Sequence, residues 1–275
     1  ITCAFALACS LIGCASGGTD SSSADAGNTS ASTDGKTLRV AMELAYPPFE
    51  TKDDAGNPEG LAVDFIRDFG AAYGYDVQIE NTAWDGLIPS LQSDKADLVI
   101  SSMTITDERK QSVDFSDAYA MAQLAILANA DSGVASIDDL NQPGKKVAVK
   151  TGSTGDVYAT KNLTNAEIVR LADESACVTE VVQGKADGFL YDQLTIYRNH
   201  QANPDTTEAV FIPFQDAEEW GIAVKKGNTE LLDQLNAFIA QSKTDGEFDR
   251  LTEKYLADEK KAFDQYGFKW FFDFE

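Results

Sequence analysis

Short strand-like runs and helical patterns take turns along most of this chain, and that alternation restricts the fold more than any other feature. "TLRVAM", "YDVQIE" and "ADLVIS" read as strands, while "GLAVDFIRDFGAAYG" and "WDGLIPSLQSD" between them carry helical periodicity. A second series follows, in which strands "KKVAVK", "AEIVRL" and "DGFLY" alternate with helices "STGDVYATKN", "SACVTEVVQGK" and "DQLTIYRNH". A late strand, "EWGIAVKKG" from Glu219 to Gly227, precedes helices near 229–244 and 246–257. Alternation of this kind implies α/β sheets with helices on both faces. The two series are separated by "DFSDAYAMAQLAILANADSG", and a length of 275 residues suits two globular units, because single cores stop growing near about 250 to 300 residues.

Composition removes some functions. With 22 basic against 45 acidic residues the formal charge is -23, which repels the phosphate backbone on which nucleic-acid binding depends, so no nucleic-acid partner is expected. The first 13 residues, "ITCAFALACSLIG", are apolar but too short for a bilayer span of about 20, and they fit the hydrophobic part of a secretion signal. The basic segment and Met expected upstream are absent, so the chain is expected to be clipped at its start. "LIGC", Leu11 to Cys14, resembles the bacterial lipobox, which predicts a lipid-modified Cys14 and membrane anchoring through that lipid. Residues 15–36 contain almost no apolar bulk and read as a tether with a reach of roughly 25 Å. Once Cys3 and Cys9 leave with the signal and Cys14 takes lipid, Cys177 cannot form an internal disulfide; its amphipathic surroundings predict a buried packing residue. No Cys/His cluster offers a metal site, and no cofactor is expected.

The chemistry gathers at predicted strand ends, where sites in such sheets lie. After "TLRVAM" comes "ELAYPPFE", in which two prolines stiffen a turn carrying Glu43, Tyr46 and Phe49; the two rings face a ligand or cover the first helix. After "ADLVIS" comes "SSMTITDERK", where Thr106 fits a helix N-cap and Asp107 and Glu108 suit the positive end of the helix dipole. Arg109 does not suit that end unless an anion sits nearby. After "DGFLY" comes Asp192, at a possible N-cap of its own. After "KKVAVK" comes "TGSTGD", whose backbone N–H groups are free to meet an anion but which lacks the Lys-Ser/Thr pair of a phosphate loop. A cation, an anion and aromatic faces from different strand ends form the set that a zwitterionic α-amino acid requires.

"YPPFE", "WDGLIPSLQSDKADLVISSMTITDERKQSVDFSDAY", "GKKVAVKTGSTG", "GKADGFLYD" and "WGIAVKKGN" together resemble the family 3 extracellular solute-binding proteins, receptors of polar amino-acid ABC importers. The similarity runs from about Thr37 to Leu256. It implies a type II periplasmic-binding-protein fold, a Venus flytrap of two α/β lobes joined by a two-strand hinge near Ala120 to Leu124 and Asp216 to Trp220. The first lobe would comprise residues 37–120 and 221–275, and the second residues 125–215. The resemblance further implies that Arg109 grips the ligand carboxylate with Ser102, Thr104 and the backbone around Ser153 and Thr154, and that Asp192 takes the ammonium from the other lobe. Tyr46 and Trp84 would sandwich the side chain with Phe49 behind, while Glu43 and Lys150 would meet its polar end. Glutamine is the first expectation, followed by lysine or arginine, or an acidic amino acid. The resemblance also implies a monomer that serves an ABC permease at the extracellular face of a Gram-positive cytoplasmic membrane.

Two other readings stay open at this stage. Some relatives are cyclohexadienyl dehydratases, for which Glu43 and Lys150 would be the acid-base candidates, and the fold also serves ligand-sensing lipoproteins. His200, expected to be exposed in a polar run, is the single histidine and gives no support to a Ser-His-Asp arrangement. The C-terminal extension adds Phe263, Tyr266, Phe268, Trp270, Phe271, Phe272 and Phe274; it either packs back on the first lobe or forms a contact surface.

Overall fold

The computed structural model describes residues 36–266 and 269–274. The predicted leader, Cys14 and the tether as far as residue 35 lie outside the described residues, as do Phe268 and the Tyr266 side chain. In the first third of the chain β1 (Lys36–Met42) leads to hairpin β2 (Thr51–Lys52) and β3 (Pro58–Glu59), then α1 (Leu61–Tyr73) and β4 (Tyr75–Asn81). A 3-10 turn at Trp84–Gly86 precedes α2 (Leu87–Gln92), β5 (Leu98–Val99), α3 (Asp107–Lys110) and β6 (Val113–Phe115). The chain crosses through β7 (Ala120–Ala122) into β8 (Leu124–Asn129), α4 (Ile137–Leu140), β9 (Lys146–Lys150), α5 (Thr154–Asn162) and β10 (Glu167–Leu171). There follow α6 (Glu174–Val182), β11 (Gly188–Asp192), α7 (Gln193–Ala202) and β12 (Thr207–Val210). It returns through β13 (Glu218–Trp220) to β14 (Ala223–Lys225) and closes with α8 (Thr229–Ser242), α9 (Glu247–Tyr255) and α10 (Ala257–Tyr266).

Two five-stranded sheets share one plan. The first has the order β4-β1-β5-β14-β6 and the second β10-β9-β11-β8-β12. In each, the first two pairings are parallel and the last two antiparallel. The second sheet is built wholly from strands between the two crossings, and the first from strands on either side of them. The crossings themselves, β7 and β13, pair antiparallel with Ala120 opposite Trp220 and Ala122 opposite Glu218. This is a two-lobed α/β fold with a two-strand hinge at the positions expected.

Burial follows the two-residue period of each strand. In β1, Val40 and Met42 face the large aromatic core with α1, α8 and α9, whereas Ala41 faces Leu87, Leu91 and Ala223 on the other side. In β8, Ala125 and Leu127 pack with Phe189 and Cys177, while Ile126 and Ala128 pack with Val147 and Leu190. Cys177 is fully buried, as predicted, and burial pushes its thiol up to about 12.

Three expectations need correction. Lys36, assigned to the tether, is the first residue of β1 because it pairs with Tyr75. The single strand expected over 219–227 is two, β13 in the hinge and β14 in the first sheet. The strand is interrupted at Gly221, where a Cβ would lie 2.8 Å from the Ile105 side chain, so any larger residue would require Ile105 to move. His200 lies inside α7, half-buried, with Nδ1 3.1 Å from the Thr207 carbonyl.

The C-terminal extension packs back on the first lobe. Phe263 and Phe271 are fully buried and Trp270 nearly so. Phe271 sits 5.1 Å from Phe49 and 5.6 Å from Trp220, ring centre to ring centre, and its carbonyl accepts the Met121 N–H of the hinge at 2.7 Å. Phe272 stacks on Phe248 at 4.6 Å.

Candidate functional site

A cleft, partly open to solvent, lies between the carboxyl ends of the parallel strands of both sheets. From the first lobe it is lined by Glu43, Tyr46, Glu50, Trp84, Ser101, Ser102, Thr104 and Arg109, and from the second by Leu124, Ser153, Thr154, Tyr191 and Asp192. The hinge contributes Glu218 and Trp220.

The first-lobe side is held by side-chain bonds across irregular turns. Tyr46 and Glu50 exchange backbone hydrogen bonds of 2.8 and 2.9 Å, which closes the "YPPFE" turn. Tyr46 stacks on Phe49 at 5.6 Å, so Phe49 supports the wall from the core without reaching the cleft surface. Ser102 has φ of 47°, a left-handed conformation rare for residues other than glycine. Its N–H donates to the Tyr119 hydroxyl at 3.2 Å and its own hydroxyl to Glu50 at 3.2 Å, and these bonds hold the strained turn in place.

Thr106 is the N-cap of α3, its hydroxyl accepting the Arg109 N–H at 3.2 Å, as the sequence predicted. The helix is a single turn, so Arg109 stands in its first and its last turn alike. The dipole conflict expected from sequence is correspondingly small. The guanidinium donates instead to the Thr104 carbonyl at 2.6 Å and, across the cleft, to the Gly152 carbonyl at 3.2 Å, and lies 5.3 Å from the Trp84 ring centre. Burial lowers its pKa, an effect opposed chiefly by the charge of Glu218.

The second-lobe side is built from helix N-termini. Ser153 caps α5 through the Asp156 N–H at 3.2 Å, and Thr154 opens the helix. Gly155 lets this helix start approach the sheet, because a Cβ there would lie 2.4 Å from the Leu190 carbonyl oxygen. Asp192 caps α7, with Oδ1 accepting from Leu194 N at 2.9 Å and Thr195 N at 3.1 Å, and from the Tyr46 hydroxyl across the cleft at 2.7 Å. Its cap role and its position in the cleft coexist. Lys150 pairs with Glu43 of the first lobe and lies 5.1 Å from the Trp84 ring centre.

Acidic groups crowd this region. Burial raises the pKa of Asp192 against its hydrogen bonds, raises Glu218 against the Thr154 and Thr104 hydroxyls, and raises Glu50 well above the ordinary 4.5. Glu174 in the first turn of α6 is pushed up to about 8 by burial and then by the charge of Asp192.

Every predicted site residue of the described chain lies in or against the cleft: nine line it, and Phe49 and Lys150 stand directly behind it. Sequence reasoning missed Glu50, Ser101, Leu124, Tyr191, Glu218 and Trp220 as lining residues. Signals existed for some of them: Glu50 ends the "YPPFE" motif, Tyr191 directly precedes Asp192, and Glu218 falls inside the predicted second crossing.

Two α/β lobes, a paired-strand hinge and a polar cleft lined from both sides define a periplasmic-type ligand-binding protein. The chain belongs to the bacterial extracellular solute-binding proteins, family 3, whose pattern it matches over residues 38–258. A protein of Neisseria gonorrhoeae named as a probable histidine-binding protein is 36% identical over 259 residues, 93% of this chain and 95% of that one. The L-arginine-binding protein of Pseudomonas aeruginosa is 33% identical over 253 residues, covering 84% of this chain and 90% of the other. Among solved structures, an ancestral amino acid-binding protein described as a precursor of cyclohexadienyl dehydratase superposes with a TM-score of 0.73 at 39% identity, covering 80% and 94% of the two chains. Other relatives are named for binding cystine, glutamine and lysine. No helix among the described residues is long and apolar enough to cross a membrane.

Proposed function

We propose that this protein captures a free L-α-amino acid in the cleft and delivers it to the permease of an ABC importer, without catalysis. The observation that carries this reading is the placement of a guanidinium, Arg109, and a carboxylate, Asp192, on opposite lobes of one cleft. The ligand carboxylate would meet Arg109 and the N-terminus of α5, and its ammonium would meet Asp192, so a bound amino acid draws both lobes onto itself. Closure would hinge at 120–124 and 216–220, between a first lobe of residues 37–120 with 221–275 and a second of 125–215. The chain would be tethered by lipid on Cys14 at the extracellular face of the membrane and act as a monomer.

For the side chain, the Glu43–Lys150 pair at the cleft wall sets an acceptor beside a donor, which suits a carboxamide, and glutamine is the first choice. Arginine and lysine come next, since the cleft holds Glu43, Glu50, Asp192 and Glu218 against Arg109 and the adjacent Lys150. The same balance disfavours glutamate and aspartate. The energetics are adequate: small ligands reach at most about 1.5 kcal/mol per heavy atom, so roughly ten atoms exceed the about 8 kcal/mol of micromolar binding. Calorimetric titration with the twenty amino acids tests the reading, and the expected result is heat with glutamine and binding at least about a hundredfold weaker in Arg109→Ala. Absence of heat with all twenty, or turnover of prephenate or arogenate, would overturn it.

A further inference from the structure

Glu218 enters the cleft from the hinge strand β13, not from either lobe. Its Oε2 accepts the Thr104 hydroxyl of the first lobe at 2.8 Å and the Thr154 hydroxyl of the second lobe at 2.8 Å. Its Oε1 accepts from Gln215 Nε2 at 2.7 Å. Arg109 lines the same cleft, its guanidinium bonded to the Thr104 and Gly152 carbonyls, and its charge favours the ionised form of Glu218. A carboxylate of the chain therefore holds hydroxyl donors from both lobes in the cleft that also carries the guanidinium assigned to a ligand carboxylate.

We propose that Glu218 is a tethered stand-in for the ligand carboxylate, which holds the Thr104 and Thr154 hydroxyls and takes up a proton when a ligand carboxylate binds beside it. This inference rests on the amino-acid reading above. Two carboxylates that share one cation and one set of donors do not both stay ionised at ordinary cost, because like charges at close range raise the pKa of the weaker acid. An amino-acid carboxylate is the stronger acid of the two, so the proton, drawn from solvent, goes to Glu218. Glu218 begins poised for this, since burial already favours its protonated form over the two threonine hydroxyl bonds that oppose it. Protonated, it repels no ligand and releases Thr104 and Thr154 to donate elsewhere. Ligand affinity is then coupled to pH through a residue that touches no ligand side chain.

The sign is fixed by which form competes. Ionised Glu218 opposes the ligand carboxylate, so through this group affinity rises as pH falls through its raised pKa. Asp192 acts in the opposite direction, because its ionised form receives the ammonium, and Glu50 and Glu174 titrate nearby as well. A comparison of variants separates Glu218 from the others.

The experiment is calorimetric titration of the full chain with L-glutamine and L-arginine between pH 5 and 8, in buffers of different ionisation enthalpy, for wild type and Glu218→Gln. Glutamine at this position keeps the shape and the bond to Gln215 but carries no charge to compete. The expected results are proton uptake on binding by wild type, loss of that uptake in Glu218→Gln, and affinity in the variant about tenfold tighter at pH 8. Thermal unfolding of the ligand-free variant checks that it folds. Equal or weaker binding by a folded Glu218→Gln, or wild-type binding without proton uptake, overturns the stand-in role and leaves the receptor reading intact. If none of the twenty amino acids binds wild type, the receptor reading fails and this inference fails with it.

Discussion

The two walls of the cleft are built in different ways. On the second lobe, Ser153, Thr154 and Asp192 stand at the starts of α5 and α7, so backbone geometry places them and the same side chains cap the helices. On the first lobe, Ser102, Glu43 and Tyr46 stand on turns and Arg109 on the single turn of α3, held by bonds in which side chains take part and by the aromatic core behind them. The cores differ in the same sense. Beneath the first lobe Phe65, Phe69, Phe238, Phe248, Phe263 and Phe271 form one aromatic mass on one face of the sheet, with a smaller cluster around Leu87 and Leu91 on the other, whereas both clusters of the second lobe are small. The lesson is that a wall made of turns needs a stiff foundation, while a wall made of helix starts carries its own.

The largest expected effect tests that foundation. Phe271 is fully buried and touches Phe49, Trp220, Phe263 and Trp270. Phe271→Ala should cost about 3 to 5 kcal/mol of stability by urea unfolding. It should also weaken ligand binding, because Phe49 backs Tyr46 and Trp220 lines the cleft. Leu140→Ala in the second lobe, a fully buried residue that does not line the cleft, should cost about 2 to 5 kcal/mol of stability with less effect on binding. Equal loss of binding in both would erase the distinction between the two walls.

Next come the two charge anchors. Arg109→Ala should weaken binding by at least about a hundredfold, near 3 kcal/mol, while unfolding midpoints barely move. Asp192→Ala should lose as much binding and in addition about 1 kcal/mol of stability, because a helix cap goes with it. Asp192→Asn should keep the cap and lose the binding. If Asp192→Ala left stability untouched, the claim that the second wall does two jobs with one side chain would be wrong.

A subtler effect concerns pH. The pKa of the half-buried Glu174 is pushed up to about 8 in the folded chain, against an ordinary 4.5, by desolvation and then by the charge of Asp192. The folded state therefore holds more protons than the unfolded one between these values. Stability from this group is fullest below 4.5 and declines as pH rises toward 8. Glu174→Gln should flatten the fall in unfolding midpoint of the ligand-free protein across that window. An unchanged slope would mean that Glu174 is solvated when the protein is in solution.

Much of this was legible in the sequence, for reasons that follow the same division. Helix starts carry local signals, so Thr106 and Asp192 were readable as caps before their partners were known. Phe49 and Tyr46 were readable as a pair, but the choice between core and cleft was not. In the structure Phe49 takes the core and Tyr46 the cleft, a division set by the Tyr46–Asp192 bond over 146 positions of chain. Glu218 and Glu50 escaped notice because one more acid in an acidic chain looks like a solvated surface, and their positions in the second crossing and the "YPPFE" motif outweigh that reading only once the cleft is seen. The split of the late strand at Gly221 was hidden for a similar reason, since it depends on Ile105, far away in the chain.

The smallest predicted effect probes how Arg109 is aimed. α3 is one turn long and has little stability of its own, so its cap is a large share of what holds it. Thr106→Ala removes the acceptor of the Arg109 N–H and should cost about 1 kcal/mol, the usual value of such a cap. The guanidinium would still be held by the Thr104 carbonyl at 2.6 Å and by its stacking on Trp84, so binding should weaken only a few-fold. Thr106→Ser, which keeps the acceptor, should restore both. A loss of binding as great as that of Arg109→Ala would show that the backbone turn, and not the guanidinium's own contacts, sets the aim of the first wall.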